Sequence, residues 1–147
     1  MLQFDPNKWK LKFYTMAIRC LSDPDSKGSG SVLIDTRPFR CHMITHAIQG
    51  GKKDWQYGDY NLLIRDAETS YQNVPANADA LFGDVFTGRA IPLAIPIMWR
   101  GGQTVSVEMQ NLYDRTAEFA GYFTVQVILH GIECTDREEI QKIMAER

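Results

Sequence analysis

The chain has no CxxC pair and no even cysteine framework, only Cys20, Cys41 and Cys134, widely spaced. That argues against a disulfide-stapled secreted domain. The spacing leaves a Cys20–Cys41 bridge open, since both residues can end neighbouring strands. No run approaches the ~20 apolar residues of a membrane helix. The opening MLQFDPNKWKLKF lacks the apolar stretch of a signal peptide, so a soluble protein made in the cytoplasm is expected. Charge is nearly balanced, 16 basic against 18 acidic residues for a net −2. There is no basic excess of the kind that binds a phosphate backbone, which disfavours nucleic acid as a partner.

Motifs that carry chemistry are also missing. Lys27-Gly28-Ser29-Gly30-Ser31 is glycine-rich, but a phosphate loop needs GxxxxGK[ST] between a strand and a helix, and neither the order nor the helix is here. Asp23 and Asp25 lack the ligand spacing of an EF-hand. No GxSxG elbow and no HExxH occur. His42 and His46 lie four apart; on a strand that sets them on one face but about 13 Å apart at ~3.3 Å per residue, too far for one ion. Cys41 and His42 are sequence neighbours, which a strand points to opposite faces, so they form no dyad. Nothing marks out a carboxylate pair among the 18 acids. The expectation is no enzyme, no cofactor and no metal. A small hydrolase built on Cys41 is carried as a third reading.

What is present is period-two patterning. In Thr104 to Glu133, Val105, Val107 and Met109 alternate with polar residues, and Phe123, Val125, Val127 and Leu129 do the same. An amphipathic helix needs a period near 3.6, so both runs are strands with one buried face. Asn111 to Thr116 reads as the turn between them, making a hairpin at the centre of an antiparallel sheet. The glycine pair in Arg100-Gly101-Gly102-Gln103 turns the chain into it. Further strands are expected at Trp9–Ile18, with Lys10 and Lys12 on the face opposite Trp9, Leu11 and Phe13, and at Ser31–Asp35, Phe39–Ile48 and Tyr60–Ala67. Leu21 to Ser31 reads as an exposed, mobile loop. In Ala90–Trp99, Pro92 and Pro96 rule against a central strand across the whole length, leaving an edge strand or an extended crossing with Leu93, Ile95 and Ile97 inward. Asn77 caps a short helical turn, Ala78 to Phe82, that stops at Gly83. Thr135 to Arg147 is helical, with Thr135 and Glu138 at capping-box spacing and Ile140, Ile143 and Met144 as its apolar stripe.

With 147 residues there is room for one domain with a real core. Some eight short strands with regular turns define an all-β protein, an antiparallel, jelly-roll-like β-sandwich over residues 9–133. An N-terminal arm, residues 1–8, precedes it and a C-terminal helix, residues 134–147, follows. Trp9, Trp55, Tyr57 and Trp99 are the candidate partner-binding residues, because Trp and Tyr bury much area at low entropic cost. The other reading of such aromatics is that they cap the core.

The order of segments carries a resemblance. A short arm is followed by IDTRPF, MITHAI, GDYNLLIRD, YQNVPANADALFGD, the proline-bounded AIPLAIPIMWRGGQTVSVEMQNL and a final FTVQVILHGIE. This succession, over most of residues 9 to 133, is similar to small virion structural proteins of tailed bacteriophages, from the head, neck and tail genes. The helix after Cys134 is outside that pattern. The resemblance implies a capsid cement or decoration protein, or a neck or tail component, located in the virion and assembled in the host cytoplasm. Its partners would be copies of itself and other virion proteins, with no membrane and no catalytic residues. The alternative is a carbohydrate- or ligand-binding β-sandwich with Trp55, Tyr57 and Trp99 as a stacking platform.

Overall fold

The computed structural model describes residues 5–50, 60–67, 69–72, 74–84 and 88–146. Eight strands among them form two antiparallel four-stranded sheets. The first runs, in spatial order, β1 (Trp9–Leu21), β8 (Tyr122–Cys134), β3 (Phe39–Ile48) and β6 (Pro92–Trp99). The second runs β2 (Lys27–Leu33), β7 (Thr104–Asn111), β4 (Tyr60–Asp66) and β5 (Ala76–Asn77). Four of the six antiparallel pairs are 1 with 8, 2 with 7, 3 with 6 and 4 with 5, and the other two, 3 with 8 and 4 with 7, join them within each sheet. The first four are the rungs of one long hairpin, rolled so that alternate rungs fall in opposite sheets, which is the jelly roll. The chain is thus an all-β antiparallel sandwich with a short C-terminal helix, α2 (Arg137–Ala145).

The alternating runs build the core as their pattern requires. Val105, Val107 and Met109 on β7 and Phe123, Val125, Val127 and Leu129 on β8 all point inward and are buried. The two strands are not a hairpin, however: β7 lies in one sheet and β8 in the other, so they face each other across the core. Alternation shows that a strand has a buried face, but a valine row packs equally well beside its neighbour or opposite it.

Three local expectations change. The segment Lys27–Ser31 is strand, not loop. Its glycines are positional: a Cβ on Gly28 would lie 2.4 Å from the Arg19 carbonyl oxygen, and one on Gly30 2.9 Å from Ile18 Cγ1. Their absence of side chains lets β2 close against β1 at this corner of the sandwich. The remaining loop is tied down by Asn111, whose Nδ2 donates to the Ser22 and Asp23 carbonyls at 3.3 and 3.0 Å. On β1 the inward face is the one begun by Lys10 and Lys12 and continued by Tyr14, Met16 and Ile18. Leu11 and Phe13 point outward. On β3 a bulge between Cys41 and Met43 breaks the alternation, so that Cys41 and Ile44 are both fully buried.

The helices are short and capped. The Asn77 side chain accepts from Ala80 N at 3.2 Å to start α1 (Ala78–Phe82), which stops at Gly83 with φ +76°. The cap of α2 is Asp136, accepting from Glu139 N at 2.9 Å, one residue beyond the expected Thr135. Thr135 is engaged elsewhere: its backbone N–H and hydroxyl both donate to the Lys8 carbonyl, at 2.7 and 3.1 Å. Residues 5–8 form a turn leading into β1, with Asp5 O accepting from Lys8 N and Trp9 N. No helix among the described residues is long and apolar enough to cross a membrane.

Candidate functional site

Two surfaces stand out. The first is the outer face of the β1-β8-β3-β6 sheet. Cross-strand register builds three rows there: Phe13, His130 and Met43; Thr15, Ile128 and Thr45; Ala17, Gln126 and Ala47. None of the nine is an Asp, Glu, Lys or Arg. Phe13 is 55% exposed and Leu11, one row further, is 68% exposed. His130 meets Phe13 edge-on at 5.3 Å between ring centroids, and its Nε2 shares a 2.7 Å hydrogen bond with the Thr45 hydroxyl. Burial lowers the His130 pKa, so the imidazole is neutral at pH 7 and adds no charge to the rows. An arginine bounds the patch at each end, and each guanidinium stacks on an aromatic ring. Arg19 lies 3.5 Å from the Tyr122 centroid and Arg40 4.8 Å from that of Trp9.

Beyond Arg40 the same face is covered. Trp9, Ile132 and Cys134 form a small buried cluster against which Ile140 and Ile143 of α2 pack. A three-turn helix is marginal alone, and this contact holds it.

The second surface is the mouth of the sandwich on the β6 side. Here β6 leaves β3: Cys41 pairs with Ile97, but the next partner of β3, Met43, pairs with Pro92. The intervening residues bow away, which leaves Ile95 81% exposed and corrects the expectation that it points inward. Leu93 and Ile97 are half-buried. Across the mouth, β5 covers only Asn61 and Leu62 of β4. The Gln72 side chain completes that edge in the manner of a strand, its Nε2 donating to Leu62 O at 2.8 Å and its Oε1 accepting from Ile64 N at 2.9 Å. Between these edges lies an apolar slot of about 570 Å³, floored by Ile44 and Ile64 and walled by Leu81, Leu93 and Ile97. A more polar cavity of about 670 Å³ lies beyond Tyr71 and Met98, which line both; Asp66, Arg100 and Gln103 border it.

Trp99 locks the rim between the two. Its indole N–H donates to Asp66 Oδ2 at 3.2 Å and to the Tyr71 hydroxyl at 2.9 Å, and the Tyr71 hydroxyl donates to Asp66 Oδ2. The ring stacks on Phe39 with centroids 6.3 Å apart. Of the residues singled out in the sequence, Trp99 is fully buried and Trp9 nearly so. They sit on opposite faces at one end of one sheet, because Phe39 pairs with Trp99 and Glu133 while Trp9 pairs with Cys134. Neither ring face is open as a stacking platform. Trp55 and Tyr57 lie outside the described residues.

A third cluster is internal. His46, 5% exposed, accepts at Nδ1 from the Tyr60 hydroxyl and donates from Nε2 to Gly83 O at 2.9 Å, with Asp79 Oδ1 at 3.2 Å. Burial pushes its pKa down against the raising effects of Gly83 and Asp79. The neutral tautomer satisfies both ring nitrogens, so His46 pins β3 to β4 and to the end of α1. Cys20, Cys41 and Cys134 are free thiols. Cys41 is fully buried, and burial pushes its pKa up to about 12, the reverse of what a nucleophile needs. Among the described residues no three His, Cys, Asp or Glu side chains converge as a metal site.

No family model, no curated protein and no solved structure matches this chain.

Proposed function

We propose that the protein is a building block of a tailed-bacteriophage virion, a capsid cement or decoration protein or a neck or tail component, acting through protein–protein contacts. The observation that carries this reading is the nine-residue patch without charged side chains on the outer face of the first sheet, between Arg19 and Arg40. Phe13 stands exposed in it and Leu11 in the next row, with Met43, Ile128 and Ala47 on the same hydrogen-bonded face. Contiguous apolar surface of this kind on a water-facing sheet marks a place where another protein sits. The jelly roll supports the reading as a rigid body used by capsid domains, and it supports lectin domains as readily, so the fold leaves the choice to the surface. Symmetric repetition would let one such face act many times over.

The test is the oligomeric state by native mass spectrometry and light scattering. A defined oligomer is expected, and Leu11→Asp with Phe13→Asp should convert it to monomer while leaving far-UV circular dichroism and the unfolding midpoint near wild type. A wild-type monomer at every concentration, or a double variant that assembles normally, would remove this face from the reading.

A further inference from the structure

We infer that the polar cavity beyond Tyr71 and Met98 is a binding site for an organic monocarboxylate, its charge met by Arg100 and Gln103. Three segments border this space of about 670 Å³: the end of β4 with Asp66 and Thr69, the β6–β7 turn with Arg100, Gly101 and Gln103, and α2 with Met144. That volume falls within the range of small-molecule sites.

Around this cavity the acceptors are taken and donors are left over. The Asp66 carboxylate accepts from Thr69 N, the Tyr71 hydroxyl and the Trp99 N–H. The carbonyls of Thr69, Arg100 and Gln103 accept from Asp66 N, Gln103 N and Ile34 N. The Gln103 Oε1 accepts from Arg100 N at 2.7 Å. The Arg100 guanidinium, the Gln103 amide N–H groups, the Gly101 N–H and the Thr69 hydroxyl have no hydrogen-bond or ion-pair partner among the described residues. A concave site with spare N–H and O–H groups, one of them cationic, and no spare carboxylate selects an anion over a cation.

The donors are held before any ligand arrives. Arg100 N fixes the Gln103 amide by its oxygen. Gly101 packs so closely on the neighbouring chain that a Cβ would lie 2.3 Å from the Thr36 carbonyl oxygen, and Gly102 N donates to Ile34 O and Asp35 O at 2.9 and 3.1 Å. A turn tied down in this way loses little freedom on binding.

Charge and walls narrow the anion. Arg100 brings one positive charge to the border and Asp66 one negative, so there is no excess to hold a phosphate dianion. One carboxylate suits one planar guanidinium fork. Met98 and Met144 supply a polarizable apolar wall, which suits an uncharged body on the acid.

The experiment titrates the full chain, at constant ionic strength, with phenylacetate, phenylacetamide and inorganic phosphate, following methionine and leucine methyl resonances. Phenylacetate should shift the methyls of Met98 and Met144, leave those of Leu81 and Leu93 in the apolar slot unmoved, and bind about tenfold more tightly than phenylacetamide. Arg100→Gln should remove that preference without moving the urea midpoint, since the guanidinium has no partner to lose. Gln103→Glu keeps the acceptor for Arg100 N but replaces the N–H groups with a charge, so it should weaken phenylacetate more than phenylacetamide. No methionine shift with phenylacetate, equal affinity for the amide, tighter binding of phosphate, or a preference that survives Arg100→Gln would each overturn the assignment. So would shifts confined to Leu81 and Leu93.

Discussion

Gly131 offers the most stringent test of the packing. It lies on β8 opposite Cys41, where the β3 bulge draws the two backbones together. A Cβ there would stand 2.0 Å from the Arg40 carbonyl oxygen and 2.9 Å from Phe39 Cε2. The nearest atom is backbone in a strand pinned between β8 and β6, so relief requires opening the ladder or moving the Phe39 ring off Trp99. Overpacking of this kind costs about 1–3 kcal/mol. Replacing glycine also restricts the unfolded chain, which returns roughly 0.4–1 kcal/mol. A Cβ 2.0 Å from a backbone atom belongs at the upper end of that range, so the net loss for Gly131→Ala is about 2 kcal/mol, out of the roughly 5–15 that hold a domain of this kind.

Gly121→Ala is the matched control. Gly121 has φ +83° and no heavy atom within 4 Å of a built Cβ, so its cost is conformational alone. The left-handed penalty of about 1–2 kcal/mol, less the same unfolded-state gain, leaves roughly 1 kcal/mol. Urea unfolding followed by tryptophan fluorescence reads both, with an unchanged slope expected. If Gly131→Ala unfolds at the wild-type midpoint, or later than Gly121→Ala, the close approach at the bulge is wrong.

Two further outcomes follow from the buried ionisable groups. Burial lowers the pKa of His42, His46 and His130, so in the window just below the ordinary value near 6.5 the unfolded chain binds more protons than the folded one. Stability is therefore full above about pH 6.5 and falls as acid is added. The urea midpoint should drop between neutral and mildly acidic pH, His46→Gln should flatten that drop, and a midpoint rising on acidification would refute the neutral buried imidazoles. For the cysteines, Ellman's reagent at pH 8 should find no fast thiol in the native protein and three in urea, since all three are buried. One thiol labelled at once under native conditions, and lost in Cys41→Ser, would revive Cys41 as a nucleophile.

Local order was legible wherever one interaction decides it. The ends of β3, the inward faces of β7 and β8 and both boundaries of α1 follow from alternation, proline and capping residues. What sequence reading missed depends on a second segment. Gly28 and Gly30 read as loop because glycine has no side chain to show a face, yet their spacing of two, interleaved with Lys27, Ser29 and Ser31, is a strand signal of its own. Thr135 was displaced as a cap by a carbonyl 127 positions away. Leu11 and Phe13 looked like core because they are apolar, but the inward parity of β1 is set from Tyr14 onward. The slot was invisible because Ile44, Ile64, Leu81 and Leu93 come from four segments that only the rolled topology brings together.

The same topology explains why the two sides of the sandwich differ. A rolled hairpin leaves β1 and β2 at one side and β6 and β5 at the other. On the first side glycines let the backbones meet, and the edges shield each other. On the second, β5 has only two residues and β6 bows outward around its prolines, so a slot is left between their edges above the closed core. Proline and a side-chain amide protect those edges from adding strands, but they do not fill the slot. A protein needing only a solid body could have closed this side as it closed the other. The open slot is thus the feature of the fold that building-block work alone does not account for.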